Sequence, residues 1–397
     1  MNTSPIRYGM PGSLYTAKVR SYLRKQRIAF EERTPGDPRF SKEIEPAVGR
    51  WIIPVLQMPD GALLQDGTDI VDHLEGLRSG ASAGQSTGPS ASPPDGVLNV
   101  VARLLDLYGG EGLLRTAMHH RWNFDADNLA FIQSDFTAAL AQGKSADEAL
   151  MIFAFASGRM RKTAVAIGVT PATGPALEDS LRELLLLLNN HLEKTPYLLG
   201  ATPSHADYGL IGPMFAHLAR DPYPASLMKR IAPRVWRWVE RMNAPDADAG
   251  EYIGPMPVWL DAENPGETLE ALLRFVASDY LTDIAAHVNF ANDWLAARPE
   301  LVAGTNGLPR PGDRVIGKVT IDWRGLPMET LVMPYRIFML QRVQDAADAL
   351  DARQRQTLDA LLARTGLAAL LTLRCQRRVE RHGHLEVWGP ARATSGA

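Results

Sequence analysis

IRYGMPGSLYTAKVRSYLRKQRIAFEER, residues 6–33, and WIIPVLQMPDGALLQDGTDIVDHLEGL, residues 51–77, decide the fold class of this chain. In the first stretch a short strand at Ile6–Tyr8 leads into a helix at Leu14–Lys25 and then a strand around Phe30–Arg33, the apolar period changing each time. In the second, the apolar run Trp51–Met58 meets turn chemistry at Met58–Gly61, a short strand at Ala62–Leu64 follows, and Thr68–Leu77 reads as a helix. A strand–helix–strand unit followed by a hairpin and a helix is a compact α/β layer.

Outward from this unit the pattern changes. Ser79 to Asp95, SGASAGQSTGPSASPPD, has no periodic apolar positions and reads as a flexible linker, so the first domain spans 1–78 and the linker 79–95. From 96 to 250 the periods are helical, at Val97–Leu107, Asn128–Gln142, Ala146–Ile167, Leu177–His191, His205–Arg220 and Leu227–Met242. A third stretch, 251–397, begins with a helix at Leu269–Ala297. It passes through the Gly- and Pro-rich ARPELVAGTNGLPRPGD, then carries β-rich runs at Val315–Asp322 and Leu326–Met333, a hairpin (315–333) turned at Gly325. A helix over Tyr335–Ala363 follows, and the basic tail with Arg374, Arg377, Arg378 and Arg381 reads as a solvated edge.

Length and composition bound the function classes. At 397 residues the chain exceeds one ordinary core, and 45% hydrophobic against 22% charged residues is the balance of a globular protein. A formal charge of -3 gives no field for collecting nucleic acid or anionic lipid, so neither partner is expected. Cys375 is the only cysteine, so one chain can form neither an internal disulfide nor a thiolate metal cluster, and a cytoplasmic, reducing compartment is expected. No apolar stretch reaches spanning length and the first residues, MNTSPIRYGMPG, do not resemble a secretory leader; the LLLLL run at Leu184–Leu188 reads as a buried helix.

Three segments carry chemistry. Ser13 stands where a strand turns into a helix, and the unpaired N–H groups of a helix start stabilise an anion by about 1 kcal/mol. A thiol with a pKa of about 8.5 is largely protonated at neutral pH, so a hydroxyl donor in that field favours its thiolate. From this segment alone, Ser13 simply capping its helix, as serine commonly does, is the preferred reading. Pro54 interrupts a strand-like run; a cis Ile53–Pro54 bond would turn the backbone of Ile53 outward toward a peptide-like ligand, and an edge strand would also tolerate the proline. Asp66 at a helix start can meet an ammonium while the amides of Gly67 and Thr68 meet a carboxylate, or Asp66 and Thr68 can simply cap.

Taken together, Ser13, Ile53–Pro54 and Asp66–Gly67–Thr68 resemble the glutathione site of the glutathione transferase family, closely over Ile6–Leu77. LLGATPSHAD, Leu198–Asp207, looks like the Ser-x-x-Asp signature of that family's helical domain, with Ser204 capping and Asp207 reaching back, and the similarity continues to about Met242. The resemblance implies an α/β thioredoxin-like N-terminal domain holding glutathione, an all-α domain over 96–250, and a mixed α+β extension. It implies Ser13 as the catalytic hydroxyl, with Tyr8 and Thr16 as rivals, and glutathione held at Ile53, Pro54, Asp66, Gly67 and Thr68. Gly67 departs from the family's serine and removes one hydroxyl contact to the γ-glutamyl carboxylate. The second substrate, a small hydrophobic electrophile, is expected among Tyr108, Arg115, Met118, His119 and Trp122 of YGGEGLLRTAMHHRW, the alternative being that Met118 and Trp122 pack in the core while His119 and His120 cap or face solvent. His119 and His120 are adjacent and cannot share a helix face as metal ligands at i and i+4 would, so no metal is expected. Conjugation, ether cleavage or isomerisation would each begin with the thiolate, in the manner of a detoxification enzyme. A homodimer is the family's habit, and a fold kept for binding or scaffolding without turnover is the alternative.

Overall fold

A computed structural model describes residues 4–78 and 88–391. In the first domain β1 (Ile6–Tyr8), α1 (Leu14–Lys25) and β2 (Glu31–Arg33) form a parallel crossover, and β3 (Val55–Gln57) and β4 (Leu63–Gln65) add an antiparallel pair, giving the order β2–β1–β3–β4. Helical turns at Phe40–Ile44 and α2 (Glu45–Val48) join β2 to β3, and α3 (Gly67–Arg78) closes the domain. Within the expected linker, 79–87 lie outside the described residues. Residues beyond it are tied down, Gln26 donating to the Pro89 carbonyl at 2.8 Å and Ser90 to Glu75 at 2.7 Å.

The helical part contains α4 (Gly96–Leu107), α5 (Leu114–Trp122), α6 (Asp125–Leu140), α7 (Ala146–Ala166), α8 (Gly174–His191), α9 (His205–Pro213), α10 (Pro222–Ile231) and α11 (Pro233–Asn243). The LLLLL run lies in α8, with Leu184, Leu185 and Leu188 in the core. Asp207 accepts from the Ser204 amide at 2.9 Å, the Leu198 amide at 3.0 Å and the Trp238 indole at 3.0 Å, so the expected capping pair starts a buried helix. Where α4 ends and α9 passes, a Cβ on Gly109 would stand 2.4 Å from the Gly209 carbonyl carbon, and one on Gly209 2.4 Å from Asp106 Cα. The two helices cross at backbone contact, which only glycine permits.

The extension adds α12 (Glu267–Ala296), the hairpin β5 (Gly317–Trp323) and β6 (Leu326–Val332), α13 (Pro334–Asp348), α14 (Ala352–Arg364), and a second hairpin of β7 (Arg377–His382) and β8 (Leu385–Ala391). The first hairpin turns at Arg324 and Gly325, both at positive φ (52° and 80°), as a tight two-residue turn requires. The single helix expected over Tyr335–Ala363 is two, because Asp351 caps α14 through the Gln354 amide at 2.9 Å. The tail is a strand pair rather than a solvated edge, and its Arg381 side chain is only 16% exposed. One continuous core runs from Val19 and Leu23 through Val101 and Leu185 to Tyr280, Leu340 and Leu362, so the extension shares its core with the helices it follows.

Candidate functional site

Strand register assembles the site. Tyr8, the last residue of β1, lies opposite Val55, the first of β3, and Val55 lies opposite Gln65, the last of β4. The segments after Tyr8, before Val55 and after Gln65 therefore emerge at one end of the sheet, which gathers Ser13, Ile53–Pro54 and Asp66–Thr68. A Cβ on Gly67 would stand 3.2 Å from the Tyr15 carbonyl, so the start of α3 abuts the first turn of α1. Lys18 locks the two together, its Nζ donating to Thr68 Oγ1 at 2.7 Å and to Asp106 at 2.6 Å.

Ser13 is the N-cap of α1, its Oγ accepting from the Thr16 amide at 3.3 Å. Of the three candidate hydroxyls it alone is partly exposed. Thr16 and Tyr8 are fully buried, and burial pushes the Tyr8 hydroxyl above its usual pKa. The Ile53–Pro54 bond is cis, and among the described residues no hydrogen bond engages the backbone of Ile53. Asp66 is held at φ 86°, and its Oδ1 accepts from the Thr68 amide at 2.8 Å and the Asp69 amide at 3.2 Å. Asp66 thus uses part of the anion-binding capacity of the α3 N-terminus itself.

The extension sits directly on this corner, which the sequence did not disclose. Arg381 on β7 reaches Asp66 at 3.5 Å, Asp69 at 2.9 Å and Glu386 at 3.0 Å. Glu386 on β8 also takes Arg50 at 2.6 Å and Arg314 at 3.2 Å, and these cations hold its carboxyl down at about 2 against the cost of burial. Arg342 on α13 pairs with Asp69 and, at 2.7 Å, with Asp72. The Tyr335 hydroxyl faces Asp66, and burial together with that carboxylate drives it well above the ordinary phenol range. A small hollow beside this lattice is lined by Arg314, Tyr335 and Glu386 together with Asn306, Asp313 and Trp388.

The five residues expected around the second substrate are all buried. Tyr108 donates to Asp279 at 2.9 Å, Arg115 pairs with Asp283, and both acids belong to α12. Asp283 also receives Arg336 at 3.2 Å and His287 at 3.1 Å, and its carboxyl falls well below the usual range because two guanidinium groups outweigh burial. Met118 and Trp122 join a second core cluster, and His119 meets Asn123 at 2.8 Å. Tyr108 borders a small apolar hollow with Leu105, Leu184, Leu188, Leu272 and Val276, whereas the other four do not line it. No signal in the sequence linked α12 to these positions. Among the described residues no helix is long and apolar enough to cross a membrane, and no group of three or more His, Cys, Asp or Glu could hold a metal.

Residues 8–82 match the family model for the glutathione S-transferase N-terminal domain and residues 171–241 the one for the glutathione S-transferase C-terminal domain. No curated protein matches the chain. Similar solved structures include the beta-etherase LigF from Sphingobium sp. strain SYK-6, 20% identical, with 62% of this chain and 98% of that one covered and a TM-score of 0.43. Glutathione transferase GSTFuA3 from Phanerochaete chrysosporium is 16% identical, with coverage of 61% and 97% and a TM-score of 0.42. A glutathione S-transferase from Methylobacillus flagellatus KT with glutathione bound is 18% identical, with coverage of 62% and 98% and a TM-score of 0.34.

Proposed function

Because this chain is a glutathione S-transferase family protein through the domains at 8–82 and 171–241, we propose that it activates the thiol of glutathione for attack on a small hydrophobic electrophile. The register that brings Ser13, Ile53 and Asp66 to one end of the sheet carries this reading. Glutathione lies along that edge: its cysteinyl backbone pairs with Ile53 beside Pro54, its γ-glutamyl carboxylate approaches the Gly67 amide and takes over the Thr68 amide that Asp66 otherwise holds, and its ammonium takes Asp66. Ser13 donates its hydroxyl to the sulfur, which keeps its lone pair after the thiol proton leaves to solvent, and the α1 N-terminus adds its partial positive charge. A carbon–sulfur bond then forms as the electrophile gives up its leaving group or takes the electron pair, which accommodates conjugation, ether cleavage or isomerisation.

The divisions 1–78, 79–95, 96–250 and 251–397, a cytoplasmic setting and a homodimer belong to this proposal; the electrophile site expected at Tyr108, Arg115, Met118, His119 and Trp122 does not, since all five are buried in the interior. The test is the ultraviolet thiolate absorbance of bound glutathione against pH. In wild type the thiol ionises about one pH unit or more below free glutathione, and Ser13→Ala returns it most of the way. An ionisation unshifted in wild type and identical in the variant refutes the role of Ser13.

One observation favours a second reading, a fold kept for binding or scaffolding without turnover. Asp66 already carries Arg381 from the extension, and no serine follows it at Gly67. Titration calorimetry with glutathione separates the two: a protein that takes up no glutathione at millimolar concentration supports this reading, and saturation supports the first.

A further inference from the structure

With Tyr108, Arg115, Met118, His119 and Trp122 all buried, the electrophile needs a surface elsewhere that opens beside the glutathione corner. The small hollow at the arginine lattice lies there. Tyr335, in its wall, turns its hydroxyl toward Asp66 and meets the ring of Tyr15, two residues past Ser13, edge-on at 6.5 Å. Every residue lining the hollow falls between Asn306 and Trp388, so the extension alone builds it and neither matched domain contributes.

The lining selects the ligand. Leu308, Pro334 and the Trp388 indole give apolar walls, and Arg314 brings a guanidinium 5.2 Å from the centroid of the Tyr335 ring. Among the described residues the one ion pair of Arg314 is with Glu386, at 3.2 Å, and Glu386 at the same time holds Arg50 at 2.6 Å and Arg381 at 3.0 Å. One carboxylate cannot neutralise three guanidinium groups. The deficit falls on Arg314, whose contact is the longest of the three and whose side chain is the most exposed, 30% against 8% and 16%. Its Nε, like that of Arg50, has no hydrogen-bond partner among the described residues. Asp313, the other acid in the lining, is occupied by Arg310 at 2.9 Å. A planar guanidinium with donors to spare, set against apolar and aromatic walls, is matched by a carboxylate on an apolar body.

We propose that this hollow takes the carboxylate end of the second substrate, so that the electrophiles of this protein are acids with an apolar or aromatic body, and that Arg314 determines this specificity. The hollow seats the acid group, and the rest of the molecule extends past Tyr335 toward Ser13. Where the reactive carbon meets sulfur rests on the glutathione reading; recognition of the carboxylate does not.

Titration calorimetry on the full chain, with and without glutathione, tests it with para-chloro-meta-nitrobenzoate and its neutral amide, two aryl chlorides of the same shape. Wild type takes up the benzoate about tenfold or more tightly than the benzamide. Arg314→Gln brings the two within about threefold, and Arg314→Lys, which keeps the charge but loses the fork, lowers the preference about threefold. Arg355→Gln, the same change of charge on α14, leaves it intact. Equal uptake of the two probes by wild type overturns the proposal, as does a preference undiminished in Arg314→Gln or in Arg314→Lys. A benzoate preference without uptake of glutathione supports the hollow and refutes the glutathione reading, and glutathione uptake without the preference does the reverse.

Discussion

Removal of Arg381 should make glutathione bind more tightly. Its guanidinium lies 3.5 Å from Asp66, 2.9 Å from Asp69 and 3.0 Å from Glu386, with only 16% of the side chain exposed. At an effective dielectric of about 20 the Asp66 contact has a gross attraction near 5 kcal/mol, and desolvation with side-chain entropy reduces such pairs to a net of about 1–2 kcal/mol. An incoming ammonium must displace that contact before it can reach Asp66, so the wild-type dissociation constant carries the same penalty. In Arg381→Ala the penalty is gone, and calorimetry should show affinity rising about 5- to 30-fold. The fold should lose about 2–3 kcal/mol, because Asp69 and Glu386 each lose a partner. Arg378→Ala, which removes only the rim pair with Asp345, should leave binding unchanged. Equal affinity in wild type and in a folded Arg381→Ala protein would refute the claim that the extension competes for this corner.

Asp283→Ala strands Arg115 in the interior and leaves Arg336 with Glu111 alone, and should cost about 3–5 kcal/mol, read as a lower denaturant midpoint. Gly109→Ala drives a methyl into the backbone of Gly209 at 2.4 Å and should destabilise by about 2–4 kcal/mol, whereas Gly76→Ala, with open space at its Cβ, should be neutral or slightly stabilising. Stability should fall in acid for two separable reasons. Burial lowers His120 to about 3, so the unfolded chain takes up a proton below about pH 6.5 that the folded protein refuses, and about 1.4 kcal/mol is lost per pH unit down to about 3. Glu386, held at about 2 by its arginines, contributes about 3 kcal/mol that is present above about pH 4.5 and disappears as pH falls through that value toward 2. Denaturant titrations of wild type and His120→Phe at pH 7, 6 and 5 check the first, since the variant should lose less over that range. Glu386→Gln, flat between pH 5 and 3 relative to wild type, checks the second.

Local signals in the sequence determined the first domain. Period changes fixed the strand and helix order, Pro54 flagged either a cis bond or an edge strand, Ser13 and Asp66 announced helix starts, and Ser204 with Asp207 announced α9, because caps and turns are decided by residues a few positions apart. The break at Asp351 carried the same kind of signal, overridden in the reading of Tyr335–Ala363 by a continuous apolar period. The hairpin β7–β8 was hidden because its arginines look like a solvated edge when their partners are unknown.

Those partners are what tertiary structure alone decided. Asp66 and Arg381 are separated by more than three hundred residues, as are Arg50 and Glu386. No periodicity or capping rule acts over such distances, and a charge is legible as buried only once the opposite charge that neutralises it has been brought alongside. The sequence by itself therefore determined which residues could form a glutathione corner. Packing of the extension through a shared core determined that this corner is covered by the chain's own arginines and that the expected electrophile residues face the acids of α12.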